Sequence, residues 1–326
     1  MQIYLLLTER CNLNCKMCIR GEKTYKELSL KDLHESRIIE EFTKHDIVIT
    51  GGEPTLCNDF IPIVNFLNNK VNSLSICTNG TTDFYINKDF KESHINIQIS
   101  IDGTENIHNS IRGKNSYQRI LSTISKLETL EIPFTISSVV NRNNFSYMKD
   151  LADILAEFKY MKYWNISYEM PFGHADINNL MLAEEWNTFV DEMLAYVCFT
   201  MKIQKMFPFD LFEKNKDRLD ELFKGRKCSN CGSGRNKIYI YPDLSVYPCT
   251  CLTDFCLGNL KEHSLSQIMQ TEKALKFANY SVTPDSKCQK CEYIKYCNGG
   301  CIGMSYHFFH QLGYGDIRCP KLRSRR

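Results

Sequence analysis

Cys11-Asn12-Leu13-Asn14-Cys15-Lys16-Met17-Cys18 packs three cysteines into eight residues, spaced Cys-x3-Cys-x2-Cys. The apolar run Ile3-Tyr4-Leu5-Leu6-Leu7 leads into it and reads as a buried strand. A loop of this length can wrap three thiolates around one iron–sulfur cube, and a [4Fe-4S] cube ordinarily takes four cysteines. Three leave one iron open to an outside ligand. In zinc sites an open coordination position marks reactive rather than structural metal. On the triplet alone a zinc knuckle remains an alternative.

The remainder of the chain bounds the answer. Its 326 residues suffice for one large domain or two medium ones, and 43% are apolar. A net charge of +2 gives no electrostatic case for nucleic acid or an anionic membrane. The basic end, Arg323-Ser324-Arg325-Arg326, reads as a solvated tail. No stretch approaches the ~20 apolar residues of a membrane span, and the N-terminus lacks the layout of a signal peptide. Sixteen cysteines, clumped at both ends with metal-ligand spacing, fit a reducing, cytoplasmic setting with metal clusters better than a disulfide framework. Cys57, Cys77 and Cys198 stand apart from the clumps and read as small buried apolar residues.

Residues 1–175 alternate strand-like segments (3–7, 46–50, 73–77, 95–101, 134–140, 164–170) with helix-like ones (30–43, 59–70, 82–89, 116–130, 147–158). That rhythm predicts an α/β fold with right-handed crossovers and a parallel sheet, a partial (β/α)6 TIM-like barrel. In such barrels the chemistry sits at the C-terminal ends of the strands. The motifs fall there: Gly51-Gly52-Glu53-Pro54, Thr78-Asn79-Gly80, Ser100-Ile101-Asp102-Gly103 with His108 and Arg112-Gly113 beyond, Asn141, and Glu169-Met170-Pro171. Two adjacent glycines let backbone approach a ligand closely. An arginine pairs a carboxylate bidentately. His108 reads as a hydrogen-bonded structural histidine, and Glu169 as a solvated or salt-bridged carboxylate by default.

The cysteine spacing behind a first strand, with Gly51-Gly52-Glu53-Pro54 in register, resembles the radical S-adenosylmethionine (SAM) enzymes. Met17 stands where that family usually has an aromatic residue, and can cover the same surface. The resemblance implies that Cys11, Cys15 and Cys18 hold a [4Fe-4S] cluster whose fourth iron is chelated by SAM. One-electron cleavage of SAM then gives a 5′-deoxyadenosyl radical. It further implies that Gly51, Gly52 and Glu53 bind the methionine amine through backbone. Ser100 and Arg112 would take the ribose and carboxylate. Asn79 and Asn141 would make polar contacts, and Met170 a backbone contact to adenine.

Residues 176–225 read as a helical linker, with helical periodicity over 180–206 and 209–224. Beyond it, residues 226–326 carry ten cysteines. The ordered run is Cys288-x2-Cys291-x5-Cys297-x3-Cys301, followed by Cys319. Upstream, Cys228 and Cys231 precede two short strands, Lys237–Tyr241 and Ser245–Tyr247, joined at Pro242-Asp243-Leu244 and ending at Cys249. Cys228, Cys231, Cys249 and Cys251 have the pairing of a zinc ribbon. The whole set resembles the SPASM domain, a small cysteine-rich α+β extension of radical SAM peptide maturases, with Leu244 in place of a glycine. The resemblance implies two auxiliary [4Fe-4S] clusters. One is held by Cys231, Cys249, Cys301 and a fourth ligand, with Cys228 first and Cys251 and Cys256 as rivals. The other is held by Cys288, Cys291, Cys297 and Cys319. So little continuous apolar sequence needs such metal staples.

Three functions compete. The first is an oxidoreductase that crosslinks or otherwise modifies a ribosomally made peptide or protein, with a flavodoxin or ferredoxin as electron donor. The second is an anaerobic sulfatase maturase, oxidising Cys or Ser to formylglycine. That group has an Asp where Thr250 follows Cys249, and Asp254 is only nearby; Glu169 and Asp254 are the candidate catalytic groups. The third is a noncatalytic, metal-stabilised binding module, which leaves the motifs of residues 51–54 and 100–112 unexplained. With the cluster strand starting at residue 3, a leader-peptide-binding unit is expected from a separate protein, unless substrate meets the barrel directly.

Overall fold

The computed structural model describes residues 1–21, 24–35, 38–84, 86, 89–93, 95–224 and 231–323. Its strands are β1 (Gln2–Thr8), β2 (Asp46–Gly51), β3 (Ser73–Thr78), β4 (Asn96–Ser100), β5 (Phe134–Val140), β6 (Met161–Tyr168), β7 (Met201–Lys202), β8 (Lys237–Ile240), β9 (Ser245–Tyr247) and β10 (Gly258–Asn259). They form one sheet, ordered β10-β9-β8-β1-β2-β3-β4-β5-β6-β7. Pairing is parallel from β8 through β7, and β8-β9 and β9-β10 are antiparallel.

One face of each strand packs under the crossover helices. Ile3, Leu5, Ile47, Ile49, Leu74, Ile76, Ile97, Ile99, Phe134, Ile136, Trp164, Ile166, Ile238 and Ile240 share a single core with residues such as Ile63, Leu67, Ile120, Leu127 and Leu151. Alternation sends the intervening side chains to the other face. There Tyr4 stacks on Tyr239 at 4.6 Å, Gln98 Nε2 donates to Cys77 Sγ at 3.4 Å, and Lys202 lies 3.6 Å over the Tyr163 ring. A closed (β/α)8 barrel fills this space with layers of branched apolar side chains. Here β10 and β7 are free ends of a linear order, and the inner face mixes polar side chains with a small cluster of Leu6, Tyr239 and Tyr241.

The six expected strands are present within a few residues. The helix expected over 59–70 is Phe60–Leu67, that over 116–130 is Ser116–Thr129, and that over 147–158 is Met148–Leu155. Residues 30–43 carry two helices, Leu30–Glu35 and Ile38–Phe42. Of the helix expected over 82–89, residues 85, 87 and 88 lie outside the described residues, and a single turn is seen at Asp89–Glu92. An unforeseen helix, Glu105–Arg112, follows β4. The stretch read as a linker holds the helix Ala183–Tyr196, but it also supplies β7 to the sheet; 209–224 breaks into short turns, Phe209–Lys214, Lys216–Arg218 and Leu219–Leu222. Cys57 is buried as expected, whereas Cys77 is only half-buried, facing the inner side of β3, and Cys198 is exposed, since it lies between that helix and a short edge strand. Among the described residues no helix is long and apolar enough to cross a membrane.

The β8-β9 hairpin explains Leu244. Its φ is +66°, in the left-handed region, closing a short loop whose last residue ordinarily favours glycine. Leu244 is 1% exposed, so burial offsets a backbone cost of about 1–2 kcal/mol. Emptying a buried leucine site costs about 2–5 kcal/mol. Leu244→Gly should therefore lower stability by about 1–3 kcal/mol despite relieving the backbone. A thermal or denaturant melt showing stabilisation instead would mean that the strain outweighs the packing.

Candidate functional site

The cysteine loop follows β1 and is gripped by backbone from three sides. From the end of β2, Gly52 N donates to Thr8 O and Glu53 N to Arg10 O, both at 2.8 Å. A Cβ at Gly52 would fall 2.2 Å from Arg10 O, and one at Gly51 2.4 Å from Thr8 O. The two glycines thus permit chain-to-chain contact, and two of the amides near the proposed amine site are already spent. After β6, His174 N donates to Cys18 O at 2.9 Å, and a Cβ at Gly173 (φ +64°) would lie 2.3 Å from that oxygen. From the helix after β4, Ile111 O accepts from Lys16 N at 3.0 Å. Met17 is buried, covering the loop as expected.

Side chains extend the grip. Asn79, buried at the end of β3, donates to Asn12 Oδ1 at 2.9 Å and approaches Cys11 Sγ at 3.9 Å. Glu53 is fully buried and accepts from Thr55 Oγ1, Thr78 Oγ1 and Asn79 N at 2.6, 2.7 and 2.7 Å. Its carboxylate therefore ties the end of β2 to the end of β3. Burial pushes its pKa up, against those hydrogen bonds.

Arg112 is ion-paired through Nε with buried Asp102. With Nε committed, its terminal nitrogens carry the remaining donors. Asp102 is itself fixed: Val139 N donates to Oδ1 at 2.8 Å, and its own N–H donates to His108 Nδ1 at 3.1 Å. His108 is fully buried and Nε2 meets no partner. Because Nδ1 accepts, the ring proton sits on Nε2, so this histidine is neutral and structural, as the sequence suggested. Burial lowers its pKa to about 4. Burial also pushes the Cys15 thiol up to about 11, against the pull of Arg112. A buried thiol of this kind ionises readily only once cationic metal is present.

Ser100 ends β4, half-buried on the inner face. Asn141 and Glu169 end β5 and β6 and are hydrogen-bonded to each other through Nδ2 and Oε2. Glu169 is 2% exposed. Rather than solvated or salt-bridged, it is a buried carboxylate satisfied by an amide, and burial raises its pKa. Met170 O accepts from Phe172 N at 2.8 Å, and Met170 Sδ lies 3.3 Å from Arg318 Nη1. Asp254 is exposed, so of the two catalytic candidates only Glu169 lies at the strand ends.

Among the C-terminal cysteines, Cys288, Cys291, Cys297 and Cys319 line one small cavity together with Phe207, Phe209 and Ile294. Cys249 and Cys301 converge beside Gly303. Cys231 Sγ lies 3.1 Å from Ser233 Oγ. Cys228 lies outside the described residues. Among the described residues no three His, Cys, Asp or Glu side chains converge as ligands of a single metal ion.

Sequence reasoning missed the piece joining the two halves. Arg318 makes two hydrogen bonds to Asp316, at 3.0 and 2.8 Å, and Asp316 Oδ2 also accepts from Cys301 N at 3.1 Å. Arg318 reaches Met170 at the end of β6 and Met206 Sδ, at 3.4 Å, in the connecting stretch. The only signal was Asp-x-Arg immediately before Cys319. Asp102 was likewise in view but unassigned.

Residues 5–164 match the Radical SAM superfamily and residues 228–292 the SPASM iron–sulfur cluster-binding domain. The chain belongs to the radical SAM superfamily and carries a SPASM domain, a pairing for which [4Fe-4S] clusters and SAM are the implied cofactors. The cysteine-type anaerobic sulfatase-maturating enzyme of Clostridium novyi is 25% identical over 97% of this chain and 91% of its own length. The mycofactocin maturase MftC of Mycolicibacterium smegmatis is 25% identical over 96% and 81%. Streptococcus suis SuiB, solved with S-adenosylmethionine, has the same fold (TM-score 0.79, 17% identity, covering 98% of this chain and 77% of SuiB).

Two predictions follow from these contacts. Gly52→Ala and Gly173→Ala should each displace the cysteine loop and lower iron content by about four atoms per chain, one cube's worth; unchanged iron would show that the loop adapts. His108 ionises near pH 6.5 when unfolded but near 4 when folded. The unfolded chain then binds the extra proton first, so stability falls as pH drops from 6.5 towards 4, by about 2 kcal/mol at pH 5. Melting temperatures of wild type and His108→Gln across that range check it: the variant should show a flatter profile.

Proposed function

We propose that this chain is a maturase that crosslinks or oxidises a side chain of a ribosomally made peptide or protein. Cys11, Cys15 and Cys18 would hold the SAM-binding cluster, and residues 1–175 form the SAM-binding unit. Residues 226–326 would carry two auxiliary clusters, giving three in all. Bound SAM would supply a 5′-deoxyadenosyl radical for hydrogen abstraction. The chain's own residues position it: Gly51 and Gly52 present backbone to the amine, Arg112 offers its terminal nitrogens to the carboxylate, and Ser100 and Asn141 offer polar contacts. Glu169 is the candidate proton acceptor.

The observation that carries this reading is a three-cysteine loop clamped by backbone hydrogen bonds at the C-terminal ends of the strands of an open sheet. SuiB was also solved bound to its precursor peptide SuiA, which supports a peptide as substrate class. A separate leader-binding protein and a flavodoxin or ferredoxin electron donor are part of the same proposal.

Formylglycine formation is the second reading, favoured by the full-length similarity to the Clostridium novyi enzyme. Against it, Thr250 brings a hydroxyl, buried without a hydrogen-bond partner, where that group carries a carboxylate. The test is anaerobic incubation with SAM, strong reductant and two substrate types: short peptides encoded beside the gene, and a sulfatase-derived cysteine peptide. Wild type should release 5′-deoxyadenosine and change the mass of the first type. A Cys11/Cys15/Cys18→Ala variant should do neither and lose about four of about twelve irons. No 5′-deoxyadenosine from wild type sinks the proposal; a mass change confined to the sulfatase peptide transfers it to the second reading.

A further inference from the structure

The fourth ligand of the first auxiliary cluster is open at the sequence level, with three cysteines competing. The fold separates two of them. Cys249 Sγ accepts from Cys251 N at 3.5 Å, so the Cys249-Thr250-Cys251 turn brings the second cysteine back over the first. The missing Cβ of Gly303 marks the space they share: it would lie 3.7 Å from Cys301 Sγ, 3.8 Å from Cys249 Sγ and 3.9 Å from Cys251 Cβ. Three cysteines from two separate segments thus border one space, and Cys231, 3.1 Å from the Ser233 hydroxyl, is the ligand that the sequence resemblance adds to them.

Cys256 is occupied elsewhere. Its thiol donates to Gly258 O at 3.4 Å and meets the Tyr247 hydroxyl on the β9-β10 side of the hairpin.

We propose that Cys251 completes the first auxiliary cluster with Cys231, Cys249 and Cys301, leaving Cys256 as a structural thiol. The assignment rests on the radical SAM maturase reading. It also gives Gly303 a purpose, since any side chain there would enter the space bordered by three of the four ligands.

The full chain, reconstituted anaerobically, tests this by iron and sulfide content together with electron paramagnetic resonance and Mössbauer spectra. Cys251→Ala should lose about a third of about twelve irons or convert one cube to a three-iron form with its own signal. Cys251→Ser preserves the side chain's size and should fold even if the alanine variant does not. It should keep its iron while one cluster's spectrum shifts, as a serine oxygen replaces sulfur. Cys228→Ala and Cys256→Ala should match wild type in both measurements. Wild-type iron and spectra in both Cys251 variants overturn the assignment, as does cluster loss in Cys228→Ala alone. Three cubes in wild type with Cys251 variants unaffected would sink this ligand while leaving the maturase reading intact; a wild-type chain that takes up zinc and no iron would end both.

Discussion

The arrangement depends on a loop that has almost no structure of its own. Residues 9–21 follow β1 without helix or strand, and a chain of that kind is costly to order. What orders it is the set of hydrogen bonds to Thr8 O, Arg10 O and Cys18 O from residues 52, 53 and 174, plus Lys16 N to Ile111 O. The partners come from the C-terminal ends of β2 and β6 and from the helix that follows β4. The loop can hold three thiolates in one pose only if β2, β4 and β6 are all in register with β1. Cofactor geometry is thereby slaved to the core beneath the sheet.

The same logic explains the mixed inner face. A barrel that closes must fill its interior, and apolar layers do so. This sheet stays open, so Tyr4, Cys77, Gln98, Ser100, Tyr163 and Lys202 line its inner face beside a small cluster of Leu6, Tyr239 and Tyr241, and the larger core lies on the helix-facing side. Arg318, held by Asp316, then fastens the segment around Cys301 to Met170 at the end of β6. With Asp316 buried, losing either partner of this pair would strand the other charge and be strongly destabilising.

Much of this was legible because it is local. Period-two apolar runs marked β1 through β6, and glycine pairs marked close approach. The resemblance of the run Cys288 to Cys319 to a cluster-binding pattern pointed to a shared site, and Cys288, Cys291, Cys297 and Cys319 line one cavity. What sequence could not show was non-local or too short to carry a period. β7 is two residues long, and its pairing with β6 is decided by the preceding helix. The helix Glu105–Arg112 hides among Asn, Ser and Gly signals that ordinarily mark turns. The Glu53 carboxylate was expected to serve the ligand through its backbone neighbours, yet its side chain is consumed in joining two strand ends. Leu244 looked like a departure from pattern, but the backbone keeps the left-handed turn regardless.

The register Gln2↔Lys237 through Leu5↔Ile240 has a consequence for how the molecule is made. Contacts between such distant positions raise contact order and slow folding. On the ribosome the N-terminal strand emerges first, yet one of its two edges stays bare until well over two hundred residues later, when the hairpin arrives. During synthesis that bare edge is a template for pairing with another nascent chain. Assembly of the second half therefore shields the edge of the first from such pairing.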